Sequence, residues 1–223
     1  MPTYNAAIEA YVRETFDVED KILKQIREQT PQKGLPAISV KPVEGRFLQF
    51  LIAAYGAVLA VEIGTLGGYN GTWIARGLPH DGRLITLEQD AHHAAVAGEH
   101  FRLAGVDART EIHVGDAHTL LRSLSGEGPF DFMFIDAEKG GYPAYLDWAL
   151  ANMRPGGVIA AHNVFRHGDI VDPHQRPAHQ DNASLQPTSC TGITTPVARV
   201  SCGRWVGDCA YSVVIRWRLS AGR

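Results

Sequence analysis

Five short apolar runs, each separated from the next by a helical stretch, constrain the fold of this chain more than any other feature. The runs are AVLAVEIG, GRLITLEQD, TEIHVGDA, FDFMFIDA and GGVIAAHNV, between residues 57 and 164. Strands that are apolar on both faces and joined through helices form parallel sheets that are covered on both sides. Since crossovers between parallel strands are right-handed, the pattern predicts a doubly wound, Rossmann-like α/β fold.

The chain has 223 residues, enough for a single domain, and three regions differ in pattern within it. Residues 1–56 show apolar residues at helical spacing, which Pro31 to Pro36 interrupts. Residues 57–164 carry the alternating strands and helices and form the predicted cofactor-binding core. Residues 165–223 begin with a polar, proline-broken segment that predicts a long loop, and they end in two runs that predict an antiparallel hairpin.

Composition and charge exclude several classes of protein. The net charge of −3 offers no basic surface for nucleic acid. The longest apolar run, Phe50 to Val61, is shorter than the roughly 20 residues of a membrane-spanning helix, and the N-terminus lacks the apolar segment of a signal peptide. The three cysteines show no metal-binding spacing and are interpreted as reduced thiols. We therefore expect a cytoplasmic protein without nucleic-acid or membrane partners.

A glycine-rich turn follows the first apolar run, in the stretch VEIGTLGGYN from Val61 to Asn70. Gly64 and Gly68 allow a tight turn and a close approach of the backbone to a bound cofactor. The spacing differs from the G-x-G-x-x-G of nicotinamide-binding proteins, and no Gly-Lys-Ser/Thr of a phosphate-binding loop follows. Glu62, just before the turn, would repel a pyrophosphate and favours a ligand that carries positive charge.

S-adenosylmethionine is the ligand that these features favour, because it carries a sulfonium and an ammonium group. Ligands of open α/β sheets bind beyond the carboxyl ends of the strands, where Glu88 ends the second predicted strand and can accept the ribose hydroxyls. The stretch VGDAH ends the third and can frame an adenine edge. A helix-starting glycine turn with two surface glutamates is the alternative. The next helix contains His92, His93 and His100, which we expect on a solvated face.

An acid, a lysine and two further polar residues follow the fourth and fifth predicted strands. Asp136 and Lys139 follow the fourth strand, and His162 and Asn163 end the fifth. Carboxylate, imidazole and amide groups can form a divalent-cation site, and such a cation would bind adjacent substrate oxygens and stabilise a phenolate. Lys139 would accept the departing proton. Alternatively, Asp136 caps the following turn, Lys139 is solvated and His162 contacts a loop carbonyl.

These residues resemble the cation-dependent O-methyltransferases related to catechol and caffeoyl-coenzyme A O-methyltransferases, in particular their small bacterial members. The likeness runs from GLPAISVKPVEGRFLQFL to GGVIAAHNV, and EIGTLGGYN, LITLEQD, FIDAEK and HNV occur in the family's order and spacing. The resemblance implies a seven-stranded sheet with an antiparallel last strand, usually in a homodimer. It implies that Asp136 binds both metal and cofactor, Asn163 binds metal and Lys139 is the base. The implied cofactor pocket is lined by Val40, Glu62, Gly64, Thr65, Asn70, Glu88 and Ala117.

Three features depart from the family's pattern. Asn70 stands where the family usually has serine, and an amide can still bind the methionine carboxylate. His162 stands where the family usually has aspartate, and neutral imidazole disfavours Mg²⁺ relative to Mn²⁺ or another transition metal. Residues 165–223 lack the family's usual helix and ending, either by divergence or because the reading frame differs there, which translation of the other frames would test.

The sequence therefore predicts an S-adenosylmethionine-dependent, divalent-cation-assisted O-methyltransferase that acts on a small catechol-like or vicinal-diol metabolite. The alternative is an S-adenosylmethionine-binding protein with impaired or no catalysis, for which His162 and the unusual C-terminal segment would be the signs. A nicotinamide oxidoreductase is disfavoured by the glycine spacing.

Overall fold

A seven-stranded sheet flanked by helices forms the part of the chain that the computed structural model describes, which is residues 6–16, 19–163, 198–204 and 211–217. The long loop predicted after residue 165 falls within residues 164–197, which the structure does not describe. The helices are α1 Ala6–Phe16, α2 Lys21–Gln32, α3 Pro42–Tyr55, α4 Tyr69–Gly77, α5 Ala91–Ala104, α6 Ala117–Leu124 and α7 Tyr142–Asn152. The strands are β1 Leu59–Ile63, β2 Arg83–Glu88, β3 Thr110–Val114, β4 Phe130–Ile135, β5 Met153–Ala161, β6 Ala198–Arg204 and β7 Tyr211–Trp217.

The strand order β3-β2-β1-β4-β5-β7-β6 confirms the doubly wound fold predicted from the alternating runs. Strands β1 to β5 pair in parallel, and β7 lies antiparallel to both β5 and β6. The chain runs outward from β1 to β2 and β3, and then returns to place β4 on the other side of β1. The carboxyl ends of β1 and β4 therefore flank the point where strand order reverses, which is where ligands bind in such sheets.

Two hydrophobic cores lie on opposite faces of the sheet because successive side chains of a strand point to opposite sides. In β1, Ala60 packs in the core with α3, α4 and α5, whereas its neighbour Val61 packs in the core with α6 and α7. Leu84 and Ile85 of β2 divide in the same way. This burial on both faces explains why the strand segments are apolar throughout rather than alternating.

Helix α2 ends later than the sequence suggested. The prolines from Pro31 onward were expected to interrupt the helical pattern, but α2 continues through Pro31 to Gln32. Proline is costly inside a helix because it lacks an N–H donor and crowds the preceding turn. Here it lies in the last turn, and the N–H of the C-cap residue Lys33 donates to the carbonyl of Gln29 at 3.0 Å.

The N-terminal helix α2 packs over the glycine turn and the start of α4. The hydroxyl of Tyr69 donates to Glu19 at 2.7 Å, and Arg76 pairs with Asp20 at 2.7 Å. These contacts fix the start of α2 against α4, and the segment that follows α2 supplies Ile38 and Ser39 to the carboxyl edge of the sheet. Within the described ranges, none of the helices has the length and apolarity that crossing a bilayer would require.

Candidate active site

A cavity of about 500 Å³ opens at the carboxyl edge of the sheet, beside the switch in strand order. Its volume lies in the range of small-molecule sites. Seven of the predicted site residues line this cavity: Gly64, Thr65, Asn70, Glu88, Ala117, Asp136 and Asn163. Residues that the sequence did not assign to the site also contribute, among them Ile38, Ser39, Leu66, His93, Glu138 and Tyr145.

The other marked residues surround this cavity without belonging to its described lining: Val40, Glu62, Gly68, Lys139 and His162. Val40 is 2% exposed and belongs to the core beneath α3. Gly68 has a φ of +76° and begins α4 where an added Cβ would lie 3.0 Å from the ring of Phe101. Gly68 therefore shapes the turn from behind rather than facing the cavity.

The glycine turn is joined directly to the tip of β4. Gly64 has a φ of +92°, a backbone conformation that favours glycine, and a Cβ there would collide with the main-chain oxygen of Asp136. The amide of Asp136 donates to the carbonyl of Ile63 at 2.9 Å, and that of Gly64 donates to Leu87 at 3.0 Å. The turn and Asp136 thus lie against one another at the floor of the cavity.

Glu88 fixes the glycine turn from the tip of β2. One carboxylate oxygen accepts hydrogen bonds from the amides of Thr65 at 3.1 Å and Leu66 at 2.8 Å. The other accepts from the amide of Asp90 at 3.0 Å and lies 3.6 Å from Nδ1 of His93. The carboxylate is therefore held at the cavity wall, where the predicted ribose contact would be made.

Glu62 lies beneath the turn, with its side chain fully buried. The hydroxyl of Thr86 lies 2.7 Å from its carboxyl group and 2.5 Å from the hydroxyl of Thr65, and either of the two hydroxyls can donate to the other. Burial raises the pKa of Glu62 to about 8, the Thr86 hydrogen bond opposes this, and the charges of Asp136 and Glu88 add to it. Its carboxyl group is therefore largely neutral at pH 7 in the absence of a ligand.

The Glu62→Gln substitution should stabilise the protein progressively, relative to the native chain, between pH 5 and pH 8. In the unfolded chain Glu62 ionises near the ordinary glutamate pKa of 4.5, whereas in the folded chain it keeps the proton until about pH 8. Native stability therefore falls as the pH rises through that window, by at most about 1.4 kcal/mol per pH unit from this group, and glutamine does not titrate. Denaturant unfolding of both proteins at several pH values measures the difference; a constant difference across the window would contradict the shift.

Asp136, His162 and Asn163 come together at the tips of β4 and β5. Nδ1 of His162 lies 3.2 Å from Oδ1 of Asp136, and the amide nitrogen of Asn70 lies 3.5 Å from Oδ2. Asn163 has a φ of +54°, in the left-handed region that asparagine tolerates better than most residues, and it lines the cavity. The Asn70 Oδ1 atom is buried without a hydrogen-bond partner, as a residue that binds a ligand there would be.

The side chains at these tips have the donor chemistry of a divalent-ion site. The 3.2 Å between Asp136 and His162 is a hydrogen-bond distance, and it is also short enough for both side chains to bind one ion. Across the described segments no three His, Cys, Asp or Glu side chains are grouped as a metal site, and the third donor here would be the amide of Asn163. A mixed carboxylate, imidazole and amide set is compatible with Mn²⁺ and related ions.

The imidazole of His162 lies between two acids. Its Nε2 atom is 3.7 Å from Oε2 of Glu44, on α3, at the end of the ring opposite Asp136. Burial lowers the pKa of His162, but hydrogen bonding to Asp136 and interaction with Glu44 outweigh it and raise the pKa to about 9. Without an ion, the ring is therefore an imidazolium that bridges the two carboxylates.

Lys139 is held at the rim of this cluster by Tyr142. Its ammonium donates to the Tyr142 hydroxyl at 2.5 Å and to the carbonyl of Ala137 at 3.2 Å, and lies 3.8 Å from Oδ1 of Asp136. Since an ammonium group only donates, the Tyr142 proton is directed to a carbonyl, and that of His162 lies at 3.0 Å. Tyr142 thus links Lys139 to the tips of both strands.

The interpretation of the α5 histidines as solvated was wrong for two of the three. His100 is 1% exposed, and its Nδ1 lies 2.7 Å from the carbonyl of Gly67, while burial lowers its pKa. His93 lines the cavity, and only His92 is on the exposed side. The reason is that α5 packs its inner face against the glycine turn, and His100 shares that face with Ala97, three positions earlier.

Some of the unpredicted cavity residues had a signal in the sequence and others had none. Glu138 follows Asp136 at the tip of β4, and His93 lies in the first turn after the β2 tip, positions that face the ligand edge of such a sheet. Tyr145 is placed by α7, where it stacks on His118 with ring centroids 4.8 Å apart. Ile38 enters from the segment between α2 and α3, which has no periodic pattern.

Comparison with known proteins agrees with this geometry. The model of a family described as O-methyltransferase matches residues 13–188. The chain is 40% identical over 195 residues to a catechol O-methyltransferase of Niastella koreensis, which covers 84% of this chain and 88% of that protein. It is 41% identical over 164 residues to a catechol O-methyltransferase of Mycobacterium tuberculosis, covering 74% of each. A structure of the O-methyltransferase from Bacillus cereus in complex with SAH matches with a TM-score of 0.87 and 34% identity, covering 95% of this chain and 97% of that one.

Proposed function

The chain belongs to the O-methyltransferase family, and on that premise we propose that it methylates one hydroxyl of a small catechol-like or vicinal-diol acceptor with divalent-cation assistance. The methyl donor is S-adenosylmethionine. Family membership confirms the resemblance inferred from the sequence motifs. The observation that carries the proposal is the position of Asp136 and Asn163, which line one cavity together with the glycine turn.

The cofactor is proposed to lie along the tips of β1, β2 and β3. Glu88 is held at the wall by the turn that it fixes, where it can accept the ribose hydroxyls. Asn70 offers its unpartnered amide oxygen and its amide nitrogen to the methionine part of the cofactor. Asp136, next to the turn, offers a negative charge to the ammonium group. Ala117 at the start of α6 leaves room for the adenine.

The acceptor is proposed to lie next to Asp136, His162 and Asn163. These three residues would hold a divalent ion, whose positive charge would favour the ionised hydroxyl of the acceptor. Lys139, which Tyr142 holds 3.8 Å from Asp136, would take the hydroxyl proton as a neutral amine, after its own proton has passed to solvent, and a neighbouring positive ion favours that neutral form. The methyl–sulfur bond then breaks as the methyl–oxygen bond forms, and the sulfonium becomes a thioether. Holding both reactants in line in one cavity supplies much of the rate.

Incubation with methyl-labelled S-adenosylmethionine, a catechol panel and a series of divalent ions tests the proposal. We expect a labelled methyl ether from catechols, detected by mass spectrometry, and none from phenol or resorcinol, which lack adjacent hydroxyls. A chelator should abolish the product, and Mn²⁺ should restore it better than Mg²⁺ because His162 replaces a carboxylate. The His162→Asp protein should regain a preference for Mg²⁺.

Two results would contradict the proposal in different ways. Calorimetric binding of S-adenosylmethionine without turnover of any catechol would favour the alternative of a cofactor-binding protein with impaired catalysis. Full turnover in the presence of the chelator would retain the methyltransferase but remove the cation from its mechanism.

A further inference from the structure

We propose that Glu44 is a positioning residue that orients His162 toward the ion, an inference that rests on the proposed cation site. Glu44 lies in the first turn of α3, and its side chain reaches the tip of β5 from the opposite side to Asp136. The carboxylate and the imidazole are both buried, at 8% and 6% exposure. The two residues are 118 positions apart and meet only because α3 packs against this edge of the sheet.

The geometry sets both ends of one imidazole ring against carboxylates. Nδ1 lies 3.2 Å from Oδ1 of Asp136, and Nε2 lies 3.7 Å from Oε2 of Glu44. If Nδ1 binds the ion, the ring proton is on Nε2, where the structure offers no closer hydrogen-bond acceptor. A carboxylate that accepts this proton fixes the tautomer and the plane of the ring, as carboxylates do for histidine ligands of metals.

Helix capping alone does not account for Glu44. Its Oε2 atom accepts a hydrogen bond from the amide of Lys41 at 2.7 Å, which supplies an acceptor for that backbone N–H at the start of α3. That hydrogen bond uses only one oxygen of the Glu44 carboxylate and does not require the side chain to be buried. The other oxygen, Oε1, is buried without a hydrogen-bond partner, so the carboxylate keeps an unused acceptor while its Oε2 atom lies 3.7 Å from Nε2 of His162. An aspartate at position 162 would have no proton to offer it.

Two substitutions separate this role from capping and from charge. Glu44→Gln keeps an oxygen that can accept from Lys41 but removes the carboxylate, and Glu44→Asp keeps the charge but withdraws it by one methylene. Each is made in the native chain and in the His162→Asp background. The affinity for Mn²⁺ is measured by calorimetry, and ¹⁴N coupling to bound Mn²⁺ is measured by pulsed electron paramagnetic resonance. Thermal unfolding of every variant reports on the helix cap separately.

In the native background, we expect both Glu44 substitutions to weaken Mn²⁺ binding by about tenfold or more, the usual effect of losing such a partner. The ¹⁴N coupling of the native protein should be weakened by both Glu44 substitutions and absent in the His162→Asp protein. In the His162→Asp background, neither Glu44 substitution should weaken Mn²⁺ binding, because no imidazole remains to be oriented.

Three outcomes would overturn the inference, and they differ in what else they remove. Equal losses of Mn²⁺ affinity in both backgrounds would make Glu44 a capping or general charge residue and leave the cation site standing. Bound Mn²⁺ without ¹⁴N coupling in the native protein would show that His162 is not a ligand. No Mn²⁺ binding, with turnover unaffected by chelator, would remove the proposed cation together with the inference but leave methyl transfer intact.

Discussion

Replacing Asp136 with asparagine should lower kcat/KM for methyl transfer by on the order of 10³-fold, equivalent to about 4 kcal/mol of transition-state stabilisation. The Asp136 carboxylate contacts Asn70, His162 and Lys139, so one side chain joins the cofactor end of the cavity to the proposed ion and base. Asparagine preserves its volume and an oxygen for Asn70, but it removes the charge. Steady-state kinetics with a catechol, S-adenosylmethionine and saturating Mn²⁺ measures the effect.

Asp131 provides a matched control at the other end of the same strand. Its carboxylate accepts hydrogen bonds from the amides of Val58 at 2.7 Å and Leu59 at 2.8 Å, and pairs with Arg154. The Asp131→Asn protein should unfold at a lower temperature but retain kcat/KM within about twofold, because its contacts stabilise the fold away from the cavity. A loss below tenfold for Asp136→Asn, or an equal loss for both variants, would contradict the role given to Asp136.

The sheet could be predicted from the sequence because each strand carries its own local pattern. Apolar runs between helices establish that strands are parallel and buried on both faces, and the topology then follows from the handedness of crossovers. The position of the site follows from the same rule, since the ends of β1 and β4 meet where strand order reverses. Asp136 and Asn163 could be placed at the cavity because they are the first residue after β4 and the second residue after β5.

Residues whose role depends on packing between distant segments could not be placed in this way. Glu62 precedes the turn and was expected to face a cationic ligand, but its side chain is buried beside Thr86, its partner in the β1–β2 register. His100 lies on a helix with a weak apolar face, and only the docking of α5 on the turn shows which side is buried. The Glu44–His162 contact likewise requires α3 to reach the tip of β5.

Gly64→Ala should destabilise the protein by about 3 kcal/mol or more and weaken cofactor binding at least tenfold. The φ of +92° is strained for any residue with a Cβ, and that Cβ would collide with the main-chain oxygen of Asp136. A main-chain oxygen cannot rotate away as a side chain can, so the tips of β1 and β4 must separate. Denaturant unfolding and calorimetric titration with S-adenosylmethionine measure the two losses.

Gly56→Ala is a matched control that lies before the other end of β1. It introduces backbone strain without a collision of the added Cβ. Gly56 has a φ of +60° and ends α3, and an added Cβ there meets no heavy atom within 4 Å. Only the left-handed backbone is penalised, so we expect a loss of about 1 kcal/mol and unchanged cofactor affinity. Equal losses of stability for the two variants would show that the collision with the main-chain oxygen of Asp136 adds no cost to the backbone strain. A larger loss for Gly64→Ala, with cofactor affinity lost in parallel, would show that the close approach of the glycine turn to the β4 tip shapes the cofactor site.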